Sequence, residues 1–136
     1  MQLDLTGKQL RRLLDLVYIG NWILNSTRGE DRITDYDDVE SVLFTAAREN
    51  GMKPLSEPYG NTFIPSRTFA EGGIHEAIMD YEDTVFFEIL AEELARRDLA
   101  AEGAKEDDID ELNARIRDYI AEFETNGTDN ITINDH

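Results

Sequence analysis

Residues 6–29 read TGKQLRRLLDLVYIGNWILNSTRG, and this segment has the clearest helix start and apolar periodicity of the chain. Thr6 and Gln9 form a capping box, in which the hydroxyl and the amide each bind an unpaired backbone N–H group at the start of a helix. Apolar side chains then recur at helical spacing. They are Leu10, Leu13, Leu14, Val17 and Leu24, with Leu16 and Ile23 widening the stripe. We therefore predict a first helix that ends at Arg28-Gly29.

The second half of this helix, residues 18–24, is apolar on almost every side. A helix of this kind lies at the centre of a core or is covered by another chain. Gly20 lies on the apolar side, where the missing side chain lets another helix approach closely. Both interpretations stay open. Under the second, the predicted interface of a homo-oligomer consists of Leu16, Ile19, Gly20, Trp22, Ile23, Tyr59 and Phe63.

Three further segments have helical patterns. We predict a second helix over residues 35–50, with Thr34 or Asp35 as its cap. The last helix begins at Asp107 or Asp108 and ends at Asn126-Gly127. The third segment, residues 71–100, has an apolar face that changes direction. It therefore forms either one helix facing two partners in succession or two helices separated near residues 80–84.

Residues 51–70 contain all three prolines of the chain and the turn signal Gly60-Asn61. We predict a long, proline-containing loop here that packs on the helices through Tyr59, Phe63, Ile64 and Phe69. The predicted fold class is all-α. It is a small antiparallel bundle of four helices, or five if the third segment breaks. We expect residues 1–127 to form one helical domain and residues 128–136 to form a flexible polar tail.

Charge is distributed unevenly along the chain. Thirty acidic and thirteen basic residues give a net charge of −17 over 136 residues. Residues 1–28 nevertheless sum to +2 and residues 51–70 to +1. Because nucleic-acid binding begins with lysine and arginine neutralising phosphates, we expect no nucleic-acid partner. The acid excess fits simple solubility, adaptation to a salty cytoplasm, or imitation of a nucleic-acid surface.

The composition also limits the location and the chemistry. The chain has no cysteine, which excludes thiolate catalysis and cysteine-ligated metal sites. The N-terminus lacks the basic and apolar regions of a signal peptide. The longest apolar stretch, residues 13–24, is too short to cross a bilayer. We therefore expect a cytoplasmic protein without a membrane partner.

Carboxylates one helical turn apart can hold Mg²⁺ or Mn²⁺. The candidate metal ligands are Glu76, Asp80, Asp83, Asp37, Glu40 and His75. Two acidic helix faces that meet would bind a metal ion as the all-α nucleotide pyrophosphatases do, although the pairs here match that pattern imperfectly. No nucleophile elbow or phosphate-binding glycine loop occurs. Apart from Mg²⁺ or Mn²⁺ under this alternative, we expect no cofactor.

Two stretches, LVYIGNWILN at 16–25 and YEDTVFFEIL at 81–90 continuing to RRDL at 96–99, resemble small uncharacterised bacterial all-helical proteins. The resemblance covers roughly the first hundred residues. It implies a short helical fold and assigns no catalytic residues.

The sequence thus favours an acidic cytosolic interaction or accessory module over an enzyme. Its expected partner is a second copy of the chain or another protein. The alternative is a divalent-metal-dependent hydrolase of nucleotides or phosphate esters that uses the paired carboxylates. A third interpretation is an inhibitor that mimics DNA.

Overall fold

A computed structural model describes residues 1–105 and 108–134. Within these residues the chain is mostly helical, as predicted, and a two-stranded antiparallel sheet is added to the helices. The elements are α1 (Gly7–Asn25), α2 (Thr34–Glu49), β1 (Ser56–Tyr59), β2 (Thr62–Pro65), the single turn α3 (Arg67–Phe69), α4 (His75–Ala101) and α5 (Ile109–Asn126). In this part of the chain no helix has both the length and the apolar character needed to cross a membrane.

The chain divides into two compact units. Unit 1 is Met1–Ile78 and unit 2 is Met79–His136, so the boundary lies within α4. The predicted single domain over residues 1–127 and the flexible tail over 128–136 stay predictions. Residues 106, 107, 135 and 136 lie outside the described part, and with them the alternative helix start at Asp107.

Unit 1 has an aromatic core between α1, α2 and the turns that precede α4. The buried residues that form it are Leu10, Leu14, Phe44, Ala47, Phe69 and Ile74. The Phe69 ring meets Phe44 edge-on at 4.9 Å between centroids and Tyr18 at 5.2 Å. Such edge-to-face pairs add to the free energy gained by burying the rings.

The start of α1 is as predicted, whereas the start of α2 is not. Thr6 Oγ1 accepts a hydrogen bond from Gln9 N, and Gln9 Oε1 accepts one from Thr6 N, which completes the capping box. The prediction that Thr34 or Asp35 caps α2 is wrong, because the cap position is Ile33 and its side chain cannot bind a backbone N–H group. The side chain of Asn25 from α1 binds the backbone of Ile33 instead.

Residues 56–65 form a hairpin where a loop was predicted. Strands β1 and β2 pair with Ser56 opposite Pro65 and Tyr59 opposite Thr62, joined by Gly60-Asn61. Gly60 has a φ of 61°, a conformation that glycine adopts without steric cost. Proline is tolerated at the outer edges of so small a sheet, which is why Pro58 and Pro65 do not prevent it. The prediction that Tyr59 packs on the helices is wrong, because this residue is 68% exposed.

A wide turn connects the hairpin to α4. Ser66 Oγ donates to the Pro54 carbonyl at 2.6 Å and accepts from Phe69 N at 3.2 Å, which starts α3. The chain then continues through Ala70–Ile74 as a π-type turn in which Gly73 has a φ of 109°. A residue with a side chain is strained at this angle, so Gly73 allows the chain to enter α4 at His75.

Unit 2 is built from the rest of α4 and from α5. Among the described residues α4 is one continuous helix through 80–84. Thr84 Oγ1 donates to the Asp80 carbonyl within the helix at 3.0 Å and does not cap a new one. Small and apolar buried residues form the core of this unit: Ala91, Ala95, Leu99, Leu112 and Phe123. At the start of α5, Asp108 Oδ1 accepts from Glu111 N, as predicted.

Candidate functional site

The helix α1 has two apolar faces. Its first face is buried and carries Leu10 and Leu14 against α2. At 100° per residue, Leu16 and Ile23 lie on the opposite side of the helix, with Gly20 beside them. Leu16 is 68% exposed and Ile23 is 55% exposed. We call Leu16, Gly20 and Ile23 the outer face of α1.

In the second half of α1 the buried inner face is polar. Asn21 and Asn25 are the buried residues there, and the Asn25 amide donates to Asn21 Oδ1 at 2.7 Å. Asn25 also donates to the Ile33 carbonyl at 3.0 Å and accepts from Ile33 N at 2.8 Å. We call the hydrogen bonds of Asn25 with Asn21 and Ile33 the asparagine clamp. Its signal in the sequence is two asparagines one turn apart within an apolar run, which the predicted apolar stripe left out.

An ion pair extends the clamp to α2. Arg32 donates to both oxygens of Asp37, from Nε at 2.7 Å and from Nη2 at 2.6 Å. The Asn21 amide donates to Asp37 Oδ1 at 3.0 Å. The Arg32 guanidinium holds the pKa of the Asp37 carboxyl below its usual range, and the Asn21 bond lowers that pKa further. Both Asp37 oxygens therefore have partners inside unit 1.

A second polar group lies beside the clamp. The Tyr18 hydroxyl and His75 Nε2 share a hydrogen bond of 2.6 Å, and the Trp22 ring meets the imidazole edge-on at 6.2 Å. Burial raises the pKa of the Glu40 carboxyl, although the Asn21 amide opposes this shift. Burial also raises the pKa of the Tyr18 hydroxyl, and the Glu40 charge adds to that effect.

Tyr18 and Glu40 line a cleft of about 590 Å³ between α2 and the hairpin. Its walls include Tyr18, Arg32, Glu40, Tyr59 and Ile64. Burial thus opposes the charged form of Glu40 at the wall of this cleft, whereas the Arg32 guanidinium favours the charged form of Asp37.

The candidate metal ligands do not form one group. Glu76, Asp80 and Asp83 are exposed on α4, Asp37 pairs with Arg32, and His75 binds Tyr18. In residues 1–105 and 108–134, no three histidine, aspartate or glutamate side chains come together as metal ligands would. The metal-dependent hydrolase therefore stays a prediction that no contact in the described structure supports.

The predicted interface residues separate into two sets. Leu16, Ile23 and Tyr59 are exposed, whereas Ile19, Gly20, Trp22 and Phe63 are partly buried. Trp22 contacts His75, and the Arg48 guanidinium lies 4.6 Å above the centre of the Phe63 ring. A Cβ atom added at Gly20 would meet no other atom within 4 Å, so the helix surface between Leu16 and Ile23 is open.

Comparison with models of protein families, with curated proteins and with solved structures finds no match for this chain.

Proposed function

We propose that the chain is an interaction module that self-associates by packing the outer face of α1 against the same face of a second copy. The observation that carries this proposal is the pair of apolar faces on α1, of which the described chain covers one. A two-fold interface uses the same patch on both copies, so each side chain of the outer face is buried in both copies at once. The cytoplasmic location expected from the sequence is part of the same proposal.

The apolar side chains of the outer face are large enough to matter. Complete burial of a leucine or isoleucine side chain is worth about 1.5–3 kcal/mol. Leu16 and Ile23 lie seven residues apart, which is two turns of one helix face, and Gly20 lies between them. A helix with glycine at this position allows the backbone of a partner helix to approach closely, which improves packing on both flanking side chains.

The charge of α1 favours the same surface. In a chain of net charge −17, two copies repel each other unless they meet where the acids are few. The only acidic residue of α1 is Asp15, and its carboxylate accepts from Arg11 at 2.7 Å and from Arg12 at 3.3 Å. A contact along the outer face therefore brings no unpaired acid of α1 close to its copy.

Sedimentation velocity tests the proposal. We expect the wild type at about 100 µM to sediment with roughly twice the monomer mass of 15.5 kDa. The variant Leu16→Gln/Ile23→Gln keeps helix propensity and charge, and we expect it to sediment as a monomer with an unchanged circular dichroism spectrum.

The matched control is Ile89→Gln/Ile109→Gln, which removes two exposed isoleucines from unit 2. We expect this variant to self-associate like the wild type. A wild type that remains monomeric at about 1 mM, or a control that dissociates equally, would contradict the proposal.

A further inference from the structure

A second surface, in unit 2, has a different chemistry. A groove of about 390 Å³ lies between α4 and α5. Its floor consists of Phe87, Ile120 and Phe123, and the Phe87 and Phe123 rings lie 5.4 Å apart between centroids. Phe87 and Ile120 are only partly buried, so apolar surface is open at the bottom of the groove.

The rim of the groove is acidic. Asp83, Glu88 and Glu124 line it together with Thr84, and all four residues are exposed. Within the described part of the chain no lysine, arginine or histidine pairs with these three carboxylates, and no base lines the groove. The rim therefore presents three negative charges above an apolar floor.

The surroundings of the groove strengthen this negative potential. Phe123 and Glu124 belong to the last turn of α5, which has no basic side chain. Carbonyl groups at the end of a helix carry partial negative charge and attract cations. The sequence of unit 2 has eighteen acids and five bases, for a net charge of −13.

From this arrangement we propose that the groove between α4 and α5 binds a basic amphipathic helix of another protein. Apolar side chains of that helix would enter the cavity above Phe87, Ile120 and Phe123. Its lysine or arginine residues would pair with Asp83, Glu88 and Glu124. Helix-in-groove recognition of this kind takes its affinity from a few apolar anchors, and charge complementarity steers the encounter and selects the partner.

Charge distinguishes this occupant from others. An anionic membrane surface would be repelled by the acidic rim. A polyamine would satisfy the rim and leave the apolar floor exposed to water. Among the described helices of this chain, α1 has a net positive charge, but its outer face is the surface proposed above for self-association. The experiment must therefore distinguish docking of a second copy in the groove from binding of a helix of another protein.

Fluorescence anisotropy with designed peptides on the intact chain tests the proposal. The probe is a labelled peptide of about fifteen residues with leucine at helical spacing and lysine at the other positions. We expect a dissociation constant of about 10 µM or lower at about 0.15 M salt. Replacing its leucines by alanine should weaken binding at least tenfold, since the apolar anchors are lost. Equal binding of the alanine peptide would overturn the proposal.

Variants locate the binding surface. Glu88→Lys/Glu124→Lys should weaken binding of the leucine–lysine peptide about tenfold or more. The control Glu93→Lys/Asp118→Lys changes the net charge equally at exposed residues that do not line the groove, and we expect less than about a threefold effect. Similar losses in both variants would show attraction to the overall charge and would overturn the proposal.

Filling the groove without changing its charge is the second arm. Thr84→Trp places a large side chain at the cavity and should weaken peptide binding about tenfold. Ile89→Trp, at an exposed residue that does not line the cavity, should leave binding unchanged.

If Thr84→Trp abolishes self-association while Leu16→Gln/Ile23→Gln does not, the groove holds a second copy, and the docking proposal and the proposed function both fail. If only Leu16→Gln/Ile23→Gln dissociates, the proposed function stands independently of the peptide result.

Discussion

Unit 1 and unit 2 are stabilised by different interactions. The sequence of unit 1 has twelve acids and eight bases, for a net charge of −4, whereas unit 2 has a net charge of −13. Unit 1 buries the aromatic rings of Phe44 and Phe69 together with the asparagine clamp. The core of unit 2 is made largely of alanine and leucine, and ion pairs lie on the surface of both units.

The two units therefore differ in what determines their stability. Aromatic burial and buried hydrogen bonds depend weakly on salt, so the stability of unit 1 should follow its packing. Ion pairs on an exposed surface are screened by salt and contribute little each. Trp22 is the only tryptophan of the sequence and belongs to unit 1, so its fluorescence reports on the surroundings of this residue in unit 1.

A substitution in the aromatic core of unit 1 should lower the free energy of unfolding more than any other considered below. Phe44 is fully buried, and Phe44→Ala should lower the free energy of unfolding by about 3–5 kcal/mol through lost burial and a residual cavity. Urea unfolding followed by Trp22 fluorescence measures it. The control Val39→Ala, at an exposed position of α2, should stay within about 0.5 kcal/mol of the wild type. A similar small change for Phe44→Ala would show that the ring does not hold unit 1 together.

The next effect concerns the polar clamp. Asn25→Ala leaves the backbone N–H of Ile33 without its partner and leaves the Ile33 carbonyl only the Tyr36 N–H, at 3.4 Å, which should cost about 2 kcal/mol. The same unfolding experiment measures this loss. Asn50→Ala removes an exposed amide bonded to the Ala46 carbonyl and should cost about 0.5 kcal/mol or less. If both variants lower the free energy of unfolding by the same small amount, the asparagine clamp does not stabilise unit 1.

The third prediction concerns a hydrogen bond in unit 2, between the Tyr119 hydroxyl and the Asp98 carboxylate. The Tyr119 hydroxyl donates to Asp98 and, followed by Arg97, holds the pKa of that carboxyl below its usual range. A group whose pKa is lowered on folding stabilises the protein at pH values above its pKa in the unfolded chain. This contribution to stability is lost as the pH falls through its pKa in the folded chain. Tyr119→Phe should therefore raise the pKa of Asp98 and lower stability slightly at pH 7, with no difference once Asp98 is protonated in acid.

A carboxyl-detected nuclear magnetic resonance titration of Asp98 checks this prediction. Tyr81→Phe, which removes a hydroxyl from an exposed tyrosine of α4, is the control. An Asp98 pKa that is the same with and without the Tyr119 hydroxyl would show that Arg97 alone sets it.

The smallest effect has the opposite sign. Burial raises the pKa of Glu40, so its charged form is less stable in the folded chain than in the unfolded one. Stability from this group is greatest below the unfolded pKa and decreases as the pH rises through the folded value. Glu40→Gln should thus stabilise unit 1 at pH 7 by about 0.5 kcal/mol, and the gain should vanish in acid. Thermal unfolding at both pH values measures the difference, and a loss of stability at pH 7 would contradict it.

Helix periodicity and end signals in the sequence were sufficient for part of the fold. At both caps, the side chain of Thr6 or Asp108 binds the backbone N–H group three residues later, so local sequence specifies them. The start of α2 depends on Asn25, eight residues before Ile33, and no local signal reveals that contact. The hairpin was missed because Pro58 and Pro65 count against strands, although a sheet of two strands has only edges.

The outer face was only partly predictable. Spacing alone cannot tell which apolar side of a helix meets the core, because both sides of α1 repeat at helical intervals. Leu16 and Ile23 belong to the predicted interface and are exposed, whereas Trp22 faces His75. Inclusion of Asn21 and Asn25 as a polar inner stripe would have indicated the correct side, since buried asparagines need partners within the fold.

The proposal that α1 meets its own copy has a direct test, because the chain has no cysteine. Gly20→Cys places one thiol in the middle of the outer face, where the two copies of a helix pair come closest. We predict that mild oxidation of this variant at about 10 µM yields a disulfide-linked dimer much faster than it does for Ile109→Cys. Equal rates for the two variants, or no covalent dimer from Gly20→Cys, would contradict self-association through the outer face of α1.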